Sequence, residues 1–482
     1  MNYRFDGPVS FSSMAAQAFL HFGISYAREG TASWIFRVQE APGGWQAALV
    51  HEGACCAVSS VCRNRREIAH FLMEQLAGQT GKPLGRWGFM LGMRPVKALY
   101  PFLSAAGPWR EFAERFLENE KVAPSVRELL MEAAQCQKAV LDQEKAGTTP
   151  AALYIHIPFC PSHCAYCSFP AAIVRRGEAL DSFTASLCED IRRAGALSRR
   201  KHFVIESIYF GGGTPTILTA AQMERVLDAV RASVPLQERV EWTVEAGRPD
   251  TVDPVMLQVL RRHGVNRISI NPQTMQDRIL AKVSRTHGSR DILRAFREVR
   301  EAVFPVVNMD FICGLPEQTI ADMEENLRVI CQLRPENVTI HTLAVKRGSP
   351  FFEKEKEWKL PPEHEVEAML HLTQERLLKE GYHPYYLYRQ KYMTDDFANV
   401  GYALEGRDSL YNIQMIGEHQ HVIGAGAGAV SKAVLPGGFR LKKLYMPRQP
   451  GAYEAKLSAL CSARDALWDF LPDRKKTAGQ ES

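Results

Sequence analysis

Beyond residue 150 the chain settles into a regular alternation of two patterns. Short apolar runs rich in β-branched residues predict strands over 153–157, 207–210, 240–245, 267–270, 306–312 and 337–343. Between them, apolar residues recur at spacings of three and four, which predicts helices over 221–233, 253–262, 289–299 and 320–333. Strand–helix repeats at this spacing imply a parallel sheet with right-handed crossovers. Six such units fit a partial (β/α)6 barrel better than a doubly wound sheet, although the pattern alone admits both. Either way, ligands are expected at the C-terminal ends of the strands. The expected fold class is α/β.

The first 145 residues mix short apolar runs with amphipathic stretches and predict an α+β accessory domain over 1–145. Within it, 126–145 carries Leu129, Leu130, Ala133, Cys136 and Val140 at helical spacing, and Ser125 with Glu128 has the form of a capping box. The stretch Ala146-Gly147-Thr148-Thr149-Pro150 lacks apolar periodicity and places a domain boundary there. The α/β core then covers 150–345, and the less regular remainder, 346–482, predicts a C-terminal α+β module. No internal repeat or low-complexity tract is present.

A length of 482 residues suits two or three domains. With 46% hydrophobic and 23% charged residues, the composition excludes disorder, collagen and coiled coil. No run of 18 apolar residues occurs, so no membrane span is expected, and the opening MNYRFDGPVSF lacks the pattern of a secretory signal. The net charge of +5 is spread along the chain, which suits an acidic small molecule and not a nucleic acid. Eleven cysteines without a secretion signal argue against a disulfide framework and for a cytoplasmic location. Eight of them (Cys55, Cys56, Cys62, Cys136, Cys188, Cys313, Cys331 and Cys461) are scattered, and most of these read as small buried hydrophobes.

The other three lie together in Tyr154-Ile155-His156-Ile157-Pro158-Phe159-Cys160-Pro161-Ser162-His163-Cys164-Ala165-Tyr166-Cys167. Pro158 ends the apolar run, so the thiols fall on a loop immediately after the first core strand. Spaced C-x3-C-x2-C, they can hold three corners of a [4Fe–4S] cube and leave the fourth iron open to an outside ligand. Zinc competes for the same residues, with His163 as a possible fourth ligand. No second pair of ligands follows, so the spacing favours iron–sulfur and leaves zinc open.

This loop, with an aromatic residue before its last cysteine, resembles the cluster loop of the radical S-adenosylmethionine (SAM) superfamily. The surrounding Tyr154 to Cys160 resembles its anaerobic coproporphyrinogen III oxidase branch, which also contains a haem chaperone. Gly92-Met93-Arg94-Pro95-Val96-Lys97, and the tail from Tyr411 through Gly424-Ala425-Gly426-Ala427-Gly428-Ala429, resemble the longer bacterial oxidase-like subfamily called HemZ. The resemblance implies a radical SAM barrel with a [4Fe–4S] cluster on Cys160, Cys164 and Cys167. It further implies SAM binding by Tyr154, Tyr166, Gly212, Gly213, Thr214, Glu245, Gln273, Arg285 and Asp310. Among these, the Gly211-Gly212-Gly213-Thr214-Pro215 turn and Glu245 would meet the SAM amino group, Gln273 the ribose and Arg285 the carboxylate.

The activity so implied is an oxygen-independent coproporphyrinogen III dehydrogenase of porphyrin biosynthesis. A 5′-deoxyadenosyl radical takes hydrogen from a propionate, and loss of CO2 and one electron leaves a vinyl group. The expected partners are coproporphyrinogen III or a related tetrapyrrole and an electron donor of flavodoxin or ferredoxin type. The alternative is a haem-binding chaperone on the same scaffold. Phe169 and the run Ala246-Gly247 depart from the oxidase pattern, and the chaperone shares the absence of a cysteine at the position of Phe169.

Three further signals carry weaker readings. Gly424, Gly426 and Ala429 match G-x-G-x-x-A, but the strand–helix–strand context of a nicotinamide site is not evident, and close packing of the tail is the alternative. The basic run Arg192, Arg193, Arg199, Arg200 and Lys201 reads as a solvated helix face more readily than as a carboxylate-binding patch. Tyr382, Tyr385, Tyr386, Tyr388 and Tyr392 suit either stacking on a macrocycle or a tyrosine-rich β-surface.

Overall fold

Alternation decides how the strands are used. The computed structural model describes residues 1–27, 32–92, 94–104, 107–142, 148–169, 171–178, 180–345, 348–353, 358–390, 396–436 and 440–473. These divide into two units, Met1–Glu132 and Ala133–Ser482. Ala146 and Gly147 of the expected breaker, the central residue of Gly92-Met93-Arg94, and Tyr392 lie outside the described residues, while Thr149 and Pro150 of that breaker already open the first strand of the second unit.

In the first unit, β1 (Asn2–Asp6), β2 (Ser25–Tyr26), β3 (Trp34–Ala41), β4 (Gly44–His51) and β5 (Ala54–Val58) form a sheet of order β2-β1-β3-β4-β5. Helices Val9–His21 and Arg65–Thr80 bury Phe11, Phe19, Ile68, Leu72 and Leu76 against Trp34, Phe36 and Leu49. Asn64 caps the second helix by accepting from the backbone N–H groups of Arg66 and Glu67. Helix Pro124–Leu141 starts one residue before Ser125, with the Ala123 carbonyl accepting from Val126 and Arg127. Ser125 therefore lies in the first turn and is not the cap, because Pro124 fits the first helical position, where no N–H is needed.

The second unit is built on one sheet of eleven strands. Six are those expected from the sequence: β6 (Thr149–Ile157), β9 (Phe203–Gly212), β10 (Leu236–Glu245), β11 (Arg267–Gln273), β12 (Val306–Cys313) and β13 (Asn337–Thr342). Between β6 and β9 the short strands β7 (Phe159–Cys160) and β8 (Ala172–Ile173) pair with each other across the cysteine loop. The sheet order is β14-β15-β13-β12-β11-β10-β9-β6-β16-β17-β18, with β14 (His383–Tyr388), β15 (Asn399–Ala403), β16 (His421–Ala425), β17 (Val430–Val434) and β18 (Leu441–Tyr445). All contacts from β13 to β16 are parallel, and the outer pairs are antiparallel. Among the described residues the two edge strands, β14 and β18, do not pair, so the sheet is an incomplete barrel. Its parallel part has one strand more than the six-unit expectation, because β16 from the tail adds beside β6.

Along these strands Leu153, Ile155, Phe210, Trp242, Val244, Ile268, Met309 and Phe311 are buried on the helix-covered face. The intervening positions are Tyr154, His156, Ser207, Tyr209, Thr243, Glu245, Ser269, Asn308 and Asp310. Parallel strands buried on both faces are normally apolar throughout. Here one face of the sheet is polar and aromatic. Helix Leu410–Gly417 lies against it, with Tyr411 packing on Ala152 and Val422, and Ile413 packing on Tyr385, Tyr386 and Ala403.

The weaker sequence signals resolve in this frame. Gly424-x-Gly426 ends β16 and runs on into β17 without a helix, so it is no dinucleotide loop. Gly426 has φ +101°, and a Cβ there would fall 2.2 Å from the His156 carbonyl oxygen; the motif serves close packing. In the basic run, Arg192 and Arg193 pair with Glu189, while Arg200 and Lys201 pair with Asp473. Those pairings are structural. Tyr385 and Tyr386 are buried on β14, and the Tyr382 hydroxyl donates to the Pro335 carbonyl at 2.6 Å.

Candidate functional site

The cysteine loop is held at both ends before any ligand is considered. Gly213 N–H donates to the Ile157 carbonyl and Thr214 N–H to that of Phe159, both at 2.7 Å, so the glycine turn after β9 zips onto the start of the loop. Gly212 has φ +105°, and a Cβ there would stand 2.5 Å from His156 Nε2, which reserves this turn for glycine. Further along, Ala165 N–H donates to the Val283 carbonyl at 3.0 Å, and Ala165 and Tyr166 pack into an apolar cluster with Ile279, Val283, Ile312 and Phe351.

The thiols themselves sit among hydrogen-bond donors. Cys160 Sγ lies 3.3 Å from Thr214 Oγ1, Cys164 Sγ accepts from Arg248 Nη1 at 3.6 Å, and Cys167 Sγ accepts from the Phe169 N–H at 3.4 Å. Burial raises the Cys160 thiol pKa, opposed by the Thr214 hydrogen bond and by the guanidinium groups of Arg248 and Arg285. Arg248 and Arg285 are both buried. Arg285 Nε donates to the Tyr166 hydroxyl at 3.2 Å, and its Nη1 donates to the Asn271 carbonyl at 2.6 Å. Two buried cations beside three thiols suit an anionic metal–thiolate group.

Zinc fits less well. A tetrahedral zinc draws its sulfurs to within roughly 4 Å of one another, and the three loop thiols are not among the sets of ligand atoms that come close together in the described residues. His163 Nε2 is engaged 2.8 Å from the Cys167 carbonyl oxygen. A cube, whose corner thiolates stand farther apart, suits the loop better.

Beyond the loop, the strand ends carry the remaining predicted residues. Glu245 ends β10 and accepts from the Tyr209 hydroxyl at 2.6 Å. Tyr209 stacks on Tyr411 with ring centroids 4.3 Å apart, and Tyr154 lies beside both. Gln273 ends β11 at φ +69°, after a break in the β11–β12 register. Its Oε1, like Asn271 Oδ1, is buried without a hydrogen-bond partner. Buried acceptors without partners are uncommon and fit a polar ligand bound there. Asp310 accepts from Asn308 Nδ2 at 2.7 Å and lies 3.7 Å from His341 Nε2. The structure therefore brings the cysteines, Thr214, Tyr166 and Arg285 together at the loop. Tyr154 and Glu245 form a second group, with Asp310 two strands away from Glu245.

Four neighbours were not singled out from the sequence: His156, Tyr209, Arg248 and Asn271. Arg248 follows the unusual Ala246-Gly247, so the departure in sequence marked the place. His156 is buried, which lowers its pKa to about 4, so it packs as a neutral ring.

Burial also acts on Glu245, pushing its carboxyl up to about 7 against the opposing Tyr209 hydrogen bond. A raised carboxyl pKa means that the folded state keeps a proton that the unfolded chain has lost. Stability is therefore expected to fall as pH rises from about 4.5 through about 7. Glu245→Gln should flatten that part of the profile, as read by chemical denaturation at a series of pH values; an unchanged slope would rule out this source.

Three thiols after the first strand of an incomplete parallel barrel, with polar groups at the following strand ends, define a radical SAM protein. The radical SAM superfamily model matches residues 154–330. The oxygen-independent coproporphyrinogen-III oxidase-like protein HemZ of Bacillus subtilis is 34% identical over 395 residues, 81% of this chain and 78% of that protein. The chain belongs to this oxygen-independent coproporphyrinogen III oxidase-like family of the radical SAM superfamily, whose cofactors are a [4Fe–4S] cluster and SAM. The haem chaperone HemW of Bacillus subtilis is 29% identical over 57% of this chain and 69% of its own length. The coproporphyrinogen III oxidase HemN of Escherichia coli shares the fold, with a TM-score of 0.53 and 21% identity over 67% of this chain and 73% of that one. Among the described residues, no helix is long and apolar enough to cross a membrane.

Proposed function

We propose that the protein is an oxygen-independent coproporphyrinogen III dehydrogenase, acting in the cytoplasm in porphyrin biosynthesis. The observation that carries this reading is the polar, tyrosine-lined face of the parallel sheet beside the cysteine loop. Cys160, Cys164 and Cys167 hold the cluster in this reading. Tyr154, Tyr166, Gly212, Gly213, Thr214, Glu245, Gln273, Arg285 and Asp310 line the SAM site. Bound together, cluster and SAM supply a 5′-deoxyadenosyl radical able to take hydrogen from an unactivated carbon. The chain supplies position. Arg285 offers a planar fork to a carboxylate, Glu245 an acceptor to an ammonium, and the Gln273 amide an unpaired oxygen to a ribose hydroxyl. The stacked Tyr154, Tyr209 and Tyr411 offer flat, water-excluding surfaces to a macrocycle. Residues 1–145 are assigned to an accessory domain and 346–482 to an oxidase-like module, preceding and following the 150–345 core in sequence. A flavodoxin- or ferredoxin-type protein is the proposed electron donor.

Anaerobically reconstituted protein given a reductant, SAM and coproporphyrinogen III should release CO2 together with 5′-deoxyadenosine. Its product should be lighter by two carboxyl groups in mass analysis. Phe169, standing where some oxidases carry a fourth cysteine, favours a second reading, a haem-binding chaperone. SAM cleavage without decarboxylation, accompanied by stable haem binding, would decide for the chaperone and against the dehydrogenase.

A further inference from the structure

Away from the cysteine loop, three side chains from three separate elements meet. Cys136 comes from helix Pro124–Leu141, His383 opens β14, and Asp408 lies in the loop after β15. One ligand atom of each lies within 4.8 Å of the other two, and among the described residues no other set of His, Cys, Asp or Glu side chains converges in this way.

The surrounding structure fixes each donor. Asp408 immediately precedes Ser409, Leu410 and Tyr411, which all donate to the Glu241 carboxylate at 2.8–2.9 Å, and the Asp408 carbonyl accepts from Arg267 Nη1 at 3.3 Å. His383 is flanked by Tyr382, itself anchored on Pro335, and by Pro384, whose carbonyl oxygen lies 3.7 Å from Cys136 Sγ. The Cys136 side chain packs with Tyr385, Tyr386 and Ile413.

His383 Nε2 and Asp408 Oδ1 stand 2.7 Å apart and share a proton. Two such donors on a tetrahedral zinc, with bonds of about 2.0–2.1 Å, stand roughly 3.3 Å apart. A cation can thus replace that proton after a shift of about half an ångström. One thiolate, one imidazole and one carboxylate suit a borderline-soft cation, whereas magnesium and calcium select all-oxygen sets. The His383 and Asp408 side chains are 31% and 30% exposed, which gives the ion an entry path and the fourth position a water.

We propose that Cys136, His383 and Asp408 form a zinc site, completed by a water and separate from the cluster loop. On binding, the thiol proton and the proton shared by His383 and Asp408 leave to solvent, and nothing is oxidised or reduced. The ion ties residues 133–141 to the edge strand β14 and to the loop after β15. This site goes beyond the proposed activity and does not depend on it.

The test uses holoprotein carrying its cluster, freed of loose metal under anaerobic conditions and titrated with zinc chloride against a competing chelator. The expected result is one zinc per chain with iron and sulfide unchanged. Absorption at the zinc edge should report one sulfur and three nitrogen or oxygen neighbours. Cys136→Ser should remove the sulfur and weaken binding beyond the roughly 10–100-fold cost of losing an outer-shell partner. Asp408→Asn, which keeps a hydrogen bond to His383, should weaken it as well and decides the matter if the cysteine variant does not fold. No uptake, or unchanged affinity in Asp408→Asn, overturns the proposal. So does a three-sulfur shell with iron lost in parallel, which would put zinc on the loop.

Discussion

Anaerobically isolated protein carrying Cys164→Ala is expected to be colourless, its iron and sulfide falling from about four of each per chain to near zero. Cys164 is the buried member of the three, and its sulfur accepts the hydrogen bond from the buried Arg248. Removing it leaves two thiolates, too few for a site-differentiated cube, and takes from Arg248 Nη1 its sulfur acceptor while the contacts to Thr286 and Asp250 remain. Cys160→Ala and Cys167→Ala should have the same effect. Cys188→Ala is the control: this buried thiol, on helix Asp181–Arg200 and outside the C-x3-C-x2-C loop, lies 3.5 Å from the Arg225 carbonyl oxygen. Iron, sulfide and visible absorption decide the outcome. Full iron and sulfide in Cys164→Ala, or zinc without sulfide in the unaltered protein, would refute the cluster assignment.

Arg464→Ala should cost about 3–5 kcal/mol of stability, the scale expected when one member of a buried ion pair is removed. Arg464 and Asp190 form an ion pair in which both side chains are 0% exposed. Asp190 also accepts from the Tyr453 hydroxyl at 2.7 Å and the Gly426 N–H at 2.9 Å, while Arg464 Nη1 donates to the Gly424 carbonyl at 3.0 Å. Helix Asp181–Arg200, the glycine turn after β16 and helix Leu457–Ala466 are thereby joined at one point. Without the guanidinium, Asp190 stays in the core with three neutral donors only, the third being the Cys461 thiol at 3.4 Å. The loss is read from denaturant midpoints of holoprotein at pH 7. A change below about 1 kcal/mol, the usual range of exposed pairs, would mean that water reaches Asp190.

Much of the core was legible because strand and helix periods are local. All six central strands and the four helices expected between them lie where alternation and three-to-four spacing put them, and helix Ile320–Leu333 has the expected bounds, whereas helices Asp181–Arg200 and Asp277–Lys282 are not among the expected elements. Helix Pro124–Leu141 shows the limit. Ser125 and Glu128 satisfy the capping-box pattern, yet Pro124 and the Ala123 carbonyl start the helix earlier. Several residues can open a helix, and the choice rests on backbone geometry that the pattern does not contain.

The cysteine loop is legible along the chain: C-x3-C-x2-C after an apolar run offers three thiols for the proposed cluster and puts them just past a strand end. What gathers around it comes from distant segments. Arg248 approaches Cys164 across 84 positions of chain, and Arg285 reaches Tyr166 across 119. The tail was the least legible part. Nothing in His421–Ala425 says that it will pair with β6 instead of covering the barrel mouth, because an added parallel strand is specified by its partner's edge and by the buried Asp190–Arg464 pair behind it. The meeting of Cys136, His383 and Asp408 is of the same kind: along the sequence Cys136 reads only as an apolar helix position and His383 and Asp408 carry no signal, and packing brings the three together. Periodicity and short motifs are local properties and can be read along the chain, whereas edge pairing, buried charge and convergent side chains depend on contacts that exist only once the chain has folded.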